Sequence, residues 1–291
     1  MKQTLVAILV GAACALGVGA ASAADAPAAK PAAKVAPMPT VEAAYAQKID
    51  QVLAGDWRSD KNKARDKYRH PKETLAFFGV APNQNVIELY PGGGWYTEIL
   101  APFLKEHGHY TAAIIKPDKP GGEEALNKTG IKAKLTADPA RYSAAQVVEF
   151  VPKTAVLGPP GSADVVLTFR NVHNMTDDGV AEPIFKAMFA VLKPGGTLGV
   201  VDHRAKPGTT VEQDKESGYL PVDAVVKLAT DAGFKLEAQS EINANPKDTK
   251  DYPKGVWTLP PTYALKDVDR EKYAAIGESD RMTLKFVKPK K

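Results

Sequence analysis

The stretch VIELYPGGGWYTEIL, Val86 to Leu100, decides how the rest of the chain is read. It opens as a buried apolar strand, with Val86, Ile87 and Leu89 around Glu88, turns through Gly92, Gly93 and Gly94, and resumes with helical spacing at Ile99 and Leu100. Strand, glycine turn and helix in that order begin a nucleotide-binding half of a doubly wound sheet. Glycine suits the turn because the backbone bends sharply and must approach a ligand more closely than a β-carbon allows, while the helix start offers free N–H groups. A plain tight turn in any open α/β protein carries the same pattern, so the neighbouring chain has to arbitrate.

Downstream, Gly108 closes the helix and Tyr110 to Ile115 reads as a second strand, giving a βαβ unit over 84 to 115. Glu123 to Lys128 suits a short helix and Val147 to Val151 a strand. ADVVLTF, Ala163 to Phe169, is a strongly apolar strand with Arg170-Asn171-Val172-His173-Asn174 at its end. Asp177 and Asp178 offer an N-cap to a helix over Val180 to Leu192, which Lys193-Pro194-Gly195-Gly196 stops. Thr197 to Val201 follows as a buried strand tipped by Asp202-His203-Arg204. A helix over Tyr219 to Ala232, a strand over Phe234 to Ile242 and a last strand over Met282 to Phe286 complete the pattern. Between those last two strands lies a long insertion, 243–280, which reads as a lid or a lobe of its own because ordered loops of such length are uncommon.

Upstream, Val41, Ala44, Ile49, Val52 and Leu53 space out a short amphipathic helix closed by Gly55. The alternating charges between Trp57 and Phe78 read chiefly as a solvated helix face. Pro71 can open the helix Lys72 to Phe78, which leaves His70 just before it, either as a packing or capping residue or at the ligand site.

The chain has 291 residues, 44% hydrophobic and 25% charged, which fits one medium domain with appendages. Met1 to Ala23 reads as a secretory signal: Lys2, an apolar run from Thr4 to Ala20, then Ala21-Ser22-Ala23. Residues 24–40, rich in Ala, Pro and Lys, read as a flexible linker, and 41–291 as the domain. The lone cysteine, Cys14, lies in the signal, so the exported protein would hold no thiol, no disulfide and no Cys-based metal site, and its expected address is a bacterial periplasm. No membrane span is expected after cleavage. The formal charge of +4 falls by one when Lys2 leaves, and no basic stretch is interleaved with aromatics, so a small molecule rather than nucleic acid is the expected partner.

From 57 to 290 the order of elements resembles a class I methyltransferase, a Rossmann-like, doubly wound, mostly parallel sheet that binds S-adenosylmethionine, here with N-terminal helices and the insertion before the last strand. The turn Glu88 to Gly94, ADVVLTF followed by RNVHN, and LKPGGTLGVVD carry the likeness. HPKETLAFF, ELYPGGGWYTEIL and VDHRA are similar to the exported predicted methyltransferases of bacteria. The resemblance implies that Glu88 orders the turn or contacts the methionine part of the cofactor, with Gly92 and Gly94 as the later glycines and Tyr90 in place of the first. It also implies an acidic ribose ligand after the second strand, where Ile115, Lys116 and Pro117 stand and Asp118 is the nearest candidate.

In such a sheet ligands lie beyond the C-terminal strand ends, which gathers Arg170, Asn171, His173, Asn174, Asp202, His203 and Arg204 at one crevice. His173 and His203 are the candidate bases, Asn171 a candidate cofactor contact, and Arg170 and Arg204 candidate grips on a carboxylate or phosphate, with Tyr96 and His70 as further substrate contacts. Two other readings stay open. His173, Asp202 and His203 are able to bind a metal for a hydrolase, and a methyltransferase-like scaffold can bind another periplasmic ligand without catalysis.

Overall fold

The structure, a computed structural model, describes residues 43–117 and 130–290. The expected signal, the linker and the helix Glu123–Lys128 lie outside the described residues. Seven strands, β1 (Asn85–Leu89), β2 (His109–Ile115), β3 (Gln146–Phe150), β4 (Ala163–Phe169), β5 (Leu192–His203), β6 (Lys235–Ser240) and β7 (Arg281–Val287), form one sheet in the order β3-β2-β1-β4-β5-β7-β6. β7 is antiparallel to both its neighbours and the other pairings are parallel. The strand order reverses between β1 and β4, so the C-terminal ends of these two strands open a crevice.

The alternation of side chains builds a core on each face of the sheet. Val86, Val165 and Leu167 face helices α1 (Ala43–Ala54), α4 (Pro71–Phe78) and α5 (Thr97–Leu104), while Ile87, Leu89 and Val166 face α8 (Val172–Asp177), α9 (Ala181–Val191) and α11 (Val222–Asp231). Short helices complete the order: α2 (Asp60–Lys63), α3 (Asp66–Arg69), α6 (Gly130–Ala137), α7 (Pro139–Tyr142), α10 (Val211–Asp214) and α12 (Arg270–Ile276). Pro71 occupies the first turn of α4, with His70 as the residue that ends α3 and opens α4 at φ 41°.

Two local expectations are corrected. Asp177 and Asp178 do not cap the long helix; they close α8, and Gly179 at φ 66° separates it from α9, which starts from Val180 without a side-chain cap. α8 forms within the RNVHN stretch at the end of β4, where Asp202 Oδ2 accepts the backbone N–H groups of Val172 at 2.6 Å and His173 at 3.3 Å. Likewise LKPGG does not merely stop α9. It begins β5, since Gly195 and Gly196 pair with Lys288, whose ammonium also bonds the carbonyls of Phe189 and Leu192 at 2.7 Å each.

The insertion 243–280 holds α12 and a short 3-10 turn over Gly255–Thr258. It is packed against the body: Val256, Tyr252 and Trp257 cluster with Tyr219 and Ala205, and Tyr219 donates to Asp248 at 3.0 Å. Trp257 stands edge-on to His173 with ring centroids 6.1 Å apart, which covers the tips of β4 and β5.

α4 lies close on β5 because Gly199 has no side chain; a β-carbon there would sit 2.7 Å from both Leu167 Cδ2 and Phe78 Cγ. Gly199→Ala is therefore expected to overpack this contact and lower stability by about 1–3 kcal/mol, measured by urea denaturation.

Candidate functional site

The glycine turn leaves β1 through Tyr90 at φ 50°, Gly92 at 57° and Gly94 at 78°. Tyr90 thus holds the left-handed conformation natural to glycine, at a cost of about 1 kcal/mol that packing must offset. Its ring leans on Phe150 with centroids 5.6 Å apart, and Asn171 Nδ2 donates to the carbonyls of Tyr90 at 3.2 Å and Phe169 at 3.0 Å, pinning turn to strand. A β-carbon at Gly92 or Gly93 would meet nothing within 4 Å, so the turn presents bare backbone to open space.

Two cavities meet at this turn, both bounded by Tyr90, Pro91, Gly92 and Asn171. One, of about 360 Å³, is apolar, with Ile114, Ile115, Ile131 and Met175 in its walls. The other, of about 210 Å³, is polar and is faced by Asn62, Arg65, Arg69, Glu88, Tyr96 and Arg170. Tyr96, at the start of α5, stacks on Phe169 with centroids 3.6 Å apart, and Trp95 donates to the Asn62 carbonyl at 3.0 Å, which fixes the aromatic wall.

Glu88 accepts from Tyr110 at 2.6 Å and from Thr97 at 3.3 Å. Burial dominates these bonds and pushes its carboxyl up to about 7. It is therefore a group at the cavity wall able to exchange a proton near neutral pH. Behind the cavity arginines, Glu278, which lines neither cavity at the turn, accepts from Arg65 Nε at 2.7 Å, Arg69 Nε at 3.1 Å and Arg281 Nη1 at 3.1 Å. Burial alone would raise the Glu278 carboxyl, but Arg69, Arg281, Arg65 and Arg170 together bring it down to about 2. The arginines remain short of negative charge: burial and the neighbouring Arg170 hold Arg69 well below the usual arginine range, and burial brings Arg170 to about 10 against the pull of Glu278. The charged run before β1 was expected to be a solvated face, and its lysines fit that description better than its arginines. Arg58 and Arg69 are 1% and 3% exposed, the former held by a two-pronged bond to Asp66 at 2.7 and 2.6 Å.

Of the residues singled out in the sequence, Glu88, Tyr90, Gly92, Tyr96, Arg170 and Asn171 come together at the crevice, and Gly94 completes the turn under Lys134 and Ile131. Asp118 lies outside the described residues. His70 lines a separate cavity of about 200 Å³ with Tyr68, Asn243 and Arg281. Arg204 is consumed by Glu241 and Asp280, bonding the first at 2.8 Å through both Nη atoms and the second at 3.0 and 2.8 Å. His173 and His203 lie with ring centroids 5.1 Å apart but border neither cavity at the turn.

Asp202 organises these two histidines. Besides capping α8 it accepts from His173 Nδ1 at 2.8 Å and from the His203 backbone N–H at 2.7 Å. Burial would lower His173, but Asp202 outweighs it and raises the imidazole; burial and the neighbouring His173 hold His203 well below its usual range, with its Nδ1 on Ser279 Oγ. Ligand atoms of His173, Asp202 and His203 lie within 4.8 Å of one another, but four N–H donors already occupy the carboxylate, so a metal ion there would have to displace at least one of them.

The architecture is that of the class I S-adenosylmethionine-dependent methyltransferases. A SAM dependent methyltransferase from Aquifex aeolicus matches at TM-score 0.50 and 16% identity, over 84% of this chain and 98% of its own. Geranyl diphosphate methyltransferase in complex with SAM matches at 0.51 and 11%, over 82% and 94%. The [4+2]-cyclase SpnF matches at 0.54 and 16%, over 89% and 100%. No family model and no curated protein matches the sequence. At these identities the likeness establishes the fold, and the chemistry has to be argued from the site.

Two expectations follow from the buried carboxyls. Glu278→Gln leaves the arginines around it unpaired and should cost about 3–5 kcal/mol, read by denaturant unfolding at neutral pH. Glu88 behaves oppositely. Between 4.5 and about 7 the folded state keeps a proton that the unfolded chain has lost, so this residue lowers stability as pH rises through that window. Glu88→Gln should remove that slope, gaining up to ~3 kcal/mol on the wild type across the window in paired melts.

Proposed function

We propose that this chain is an S-adenosylmethionine-dependent methyltransferase acting on a small acceptor. The observation that carries the reading is the bare glycine turn between an apolar and a polar cavity at the β1/β4 reversal point. The residues fit the cofactor: Gly92 and Gly93 offer backbone without a β-carbon, Ile114, Ile115, Ile131 and Met175 offer apolar walls for a flat base, and the Glu88 carboxylate offsets positive charge. When bound, the cofactor would supply an electrophilic methyl group on its sulfonium sulfur, for an acceptor oxygen or nitrogen that loses a proton while the sulfur leaves as a neutral thioether. Tyr90 and Asn171 hold the turn between the cavities, and Glu88, the titratable carboxyl on the polar wall, takes the acid–base part in place of His173 and His203. The histidines bind Asp202 and Ser279 and keep the tips of β4 and β5 in register.

Calorimetric titration with S-adenosylmethionine and S-adenosylhomocysteine tests this reading. Binding of both is expected, and no binding at millimolar concentration would overturn it. Affinity for the cationic S-adenosylmethionine should rise from about pH 6 to about pH 8 as Glu88 ionises, and Glu88→Gln should flatten that rise. Tyr90→Gly relaxes the strained turn; weaker cofactor binding in this variant would make the tyrosine ring part of the site, stronger binding would make it an obstruction.

Export to the periplasm is the second part of the proposal, supported by the signal pattern of Met1 to Ala23. Fractionation of cells expressing the full chain checks it, with shortening by about the signal length as the expected mass change.

A further inference from the structure

The polar cavity holds more positive charge than the chain itself balances. Arg65, Arg69 and Arg170 line it, while the carboxylate nearest them, Glu278, is shared by Arg65, Arg69 and Arg281. Arg69 is 3% exposed, and its Nη2, like that of Arg65, is buried with no hydrogen-bond partner among the described residues. A buried guanidinium donor left unpaired is costly, and such donors around a cavity fit an oxyanion that accepts from them. The arginines are also held in place independently of any ligand. Glu278 fixes the Nε atoms of Arg65 and Arg69, and the Arg69 guanidinium lies 4.6 Å over the Trp95 ring, so the remaining prongs are already oriented. Glu88, the other carboxyl at the wall, is neutral over much of the acidic range and adds little negative charge below about 7.

The cofactor of the proposed function does not supply the missing charge. S-adenosylmethionine carries a carboxylate but also an ammonium and a sulfonium, so it enters with a net positive charge. We propose that this cavity is the acceptor subsite and that it takes a dianionic small molecule, a phosphate monoester or a dicarboxylate, through Arg65, Arg69 and Arg170. The inference rests on the methyltransferase reading for the word acceptor, but the anion site stands on the arginines alone. Guanidinium matches both classes because each presents two coplanar oxygens to a two-pronged donor.

Isothermal titration of the full chain with inorganic phosphate and, separately, with succinate, at fixed ionic strength set by chloride, tests the site. Saturable binding of at least one is expected, and the stronger of the two assigns the class. Arg170→Gln, which breaks no ion pair of Glu278, should weaken that binding by about tenfold or more while the melting temperature holds, as expected for loss of a charge-assisted bond. No saturable binding of either probe, or unchanged affinity in Arg170→Gln and Arg69→Gln alike, would overturn the proposal. Repeating the titration with saturating S-adenosylhomocysteine separates it from the function it rests on. Anion binding that persists in the ternary mixture supports an acceptor subsite, whereas competition between the two means that the arginines hold the cofactor's own carboxylate and overturns it. If the anion binds and S-adenosylhomocysteine does not, the anion site stands and the methyltransferase reading falls.

Discussion

One carboxylate, that of Glu278, ties the two ends of the described chain together. Arg65 and Arg69 reach it from the helices before β1, and Arg281 reaches it from the start of β7 while also donating to the Tyr68 carbonyl at 2.5 Å. Charges buried in this way are paid for only by close pairing, and here the pairing is incomplete by design of the geometry: three guanidiniums share one acceptor. The contact that joins the start of β7 to the N-terminal helices therefore also makes the wall of the polar cavity cationic. Structure and binding chemistry come from the same residues.

The second constraint is the backbone of the turn. Tyr90 adopts the conformation that glycine adopts freely, and it does so because β2 and Asn171 fix its neighbours: its N–H donates to the Ala113 carbonyl at 2.9 Å and its own carbonyl accepts from Asn171. Tyr90 borders both the apolar and the polar cavity. Arg170, also at positive φ (60°), lines the polar cavity too, its N–H bonded to the Val201 carbonyl at 2.7 Å. Two strained residues lining one cavity mark a place where position outweighs local comfort.

Asp202 ties the candidate base His173 and the start of α8 to the tip of β5. A buried acid between two histidines suggests proton transfer or metal binding, but its oxygens accept from two helix-start amides, the amide of His203 and the ring of His173. Those bonds start α8 within RNVHN, and the insertion sets Trp257 edge-on to His173. With Arg204 bound to Asp280 and Glu241, the titratable and cationic groups that line the polar cavity are Glu88, Arg65, Arg69 and Arg170.

The amino-acid sequence by itself determined the sheet and its glycine turn. Alternating apolar strands, punctuating glycines and amphipathic helices are local signals, readable at NVIEL, ADVVLTF and TLGVV because each residue's face follows from its own neighbours. It also placed Glu88, Tyr90, Gly92 and Arg170 at one crevice, since the ends of parallel strands share an edge. What it left hidden depends on partners distant in sequence. Arg69 reads as part of a solvated charged run until Glu278, 209 residues later, is brought against it, and α8 lacks a cap until Asp202, 30 residues on, supplies one. The left-handed backbone at Tyr90 and the division of the crevice into two cavities were likewise decided only by tertiary structure. Burial, backbone strain and long-range pairing are properties of the packed chain, and no local pattern encodes them.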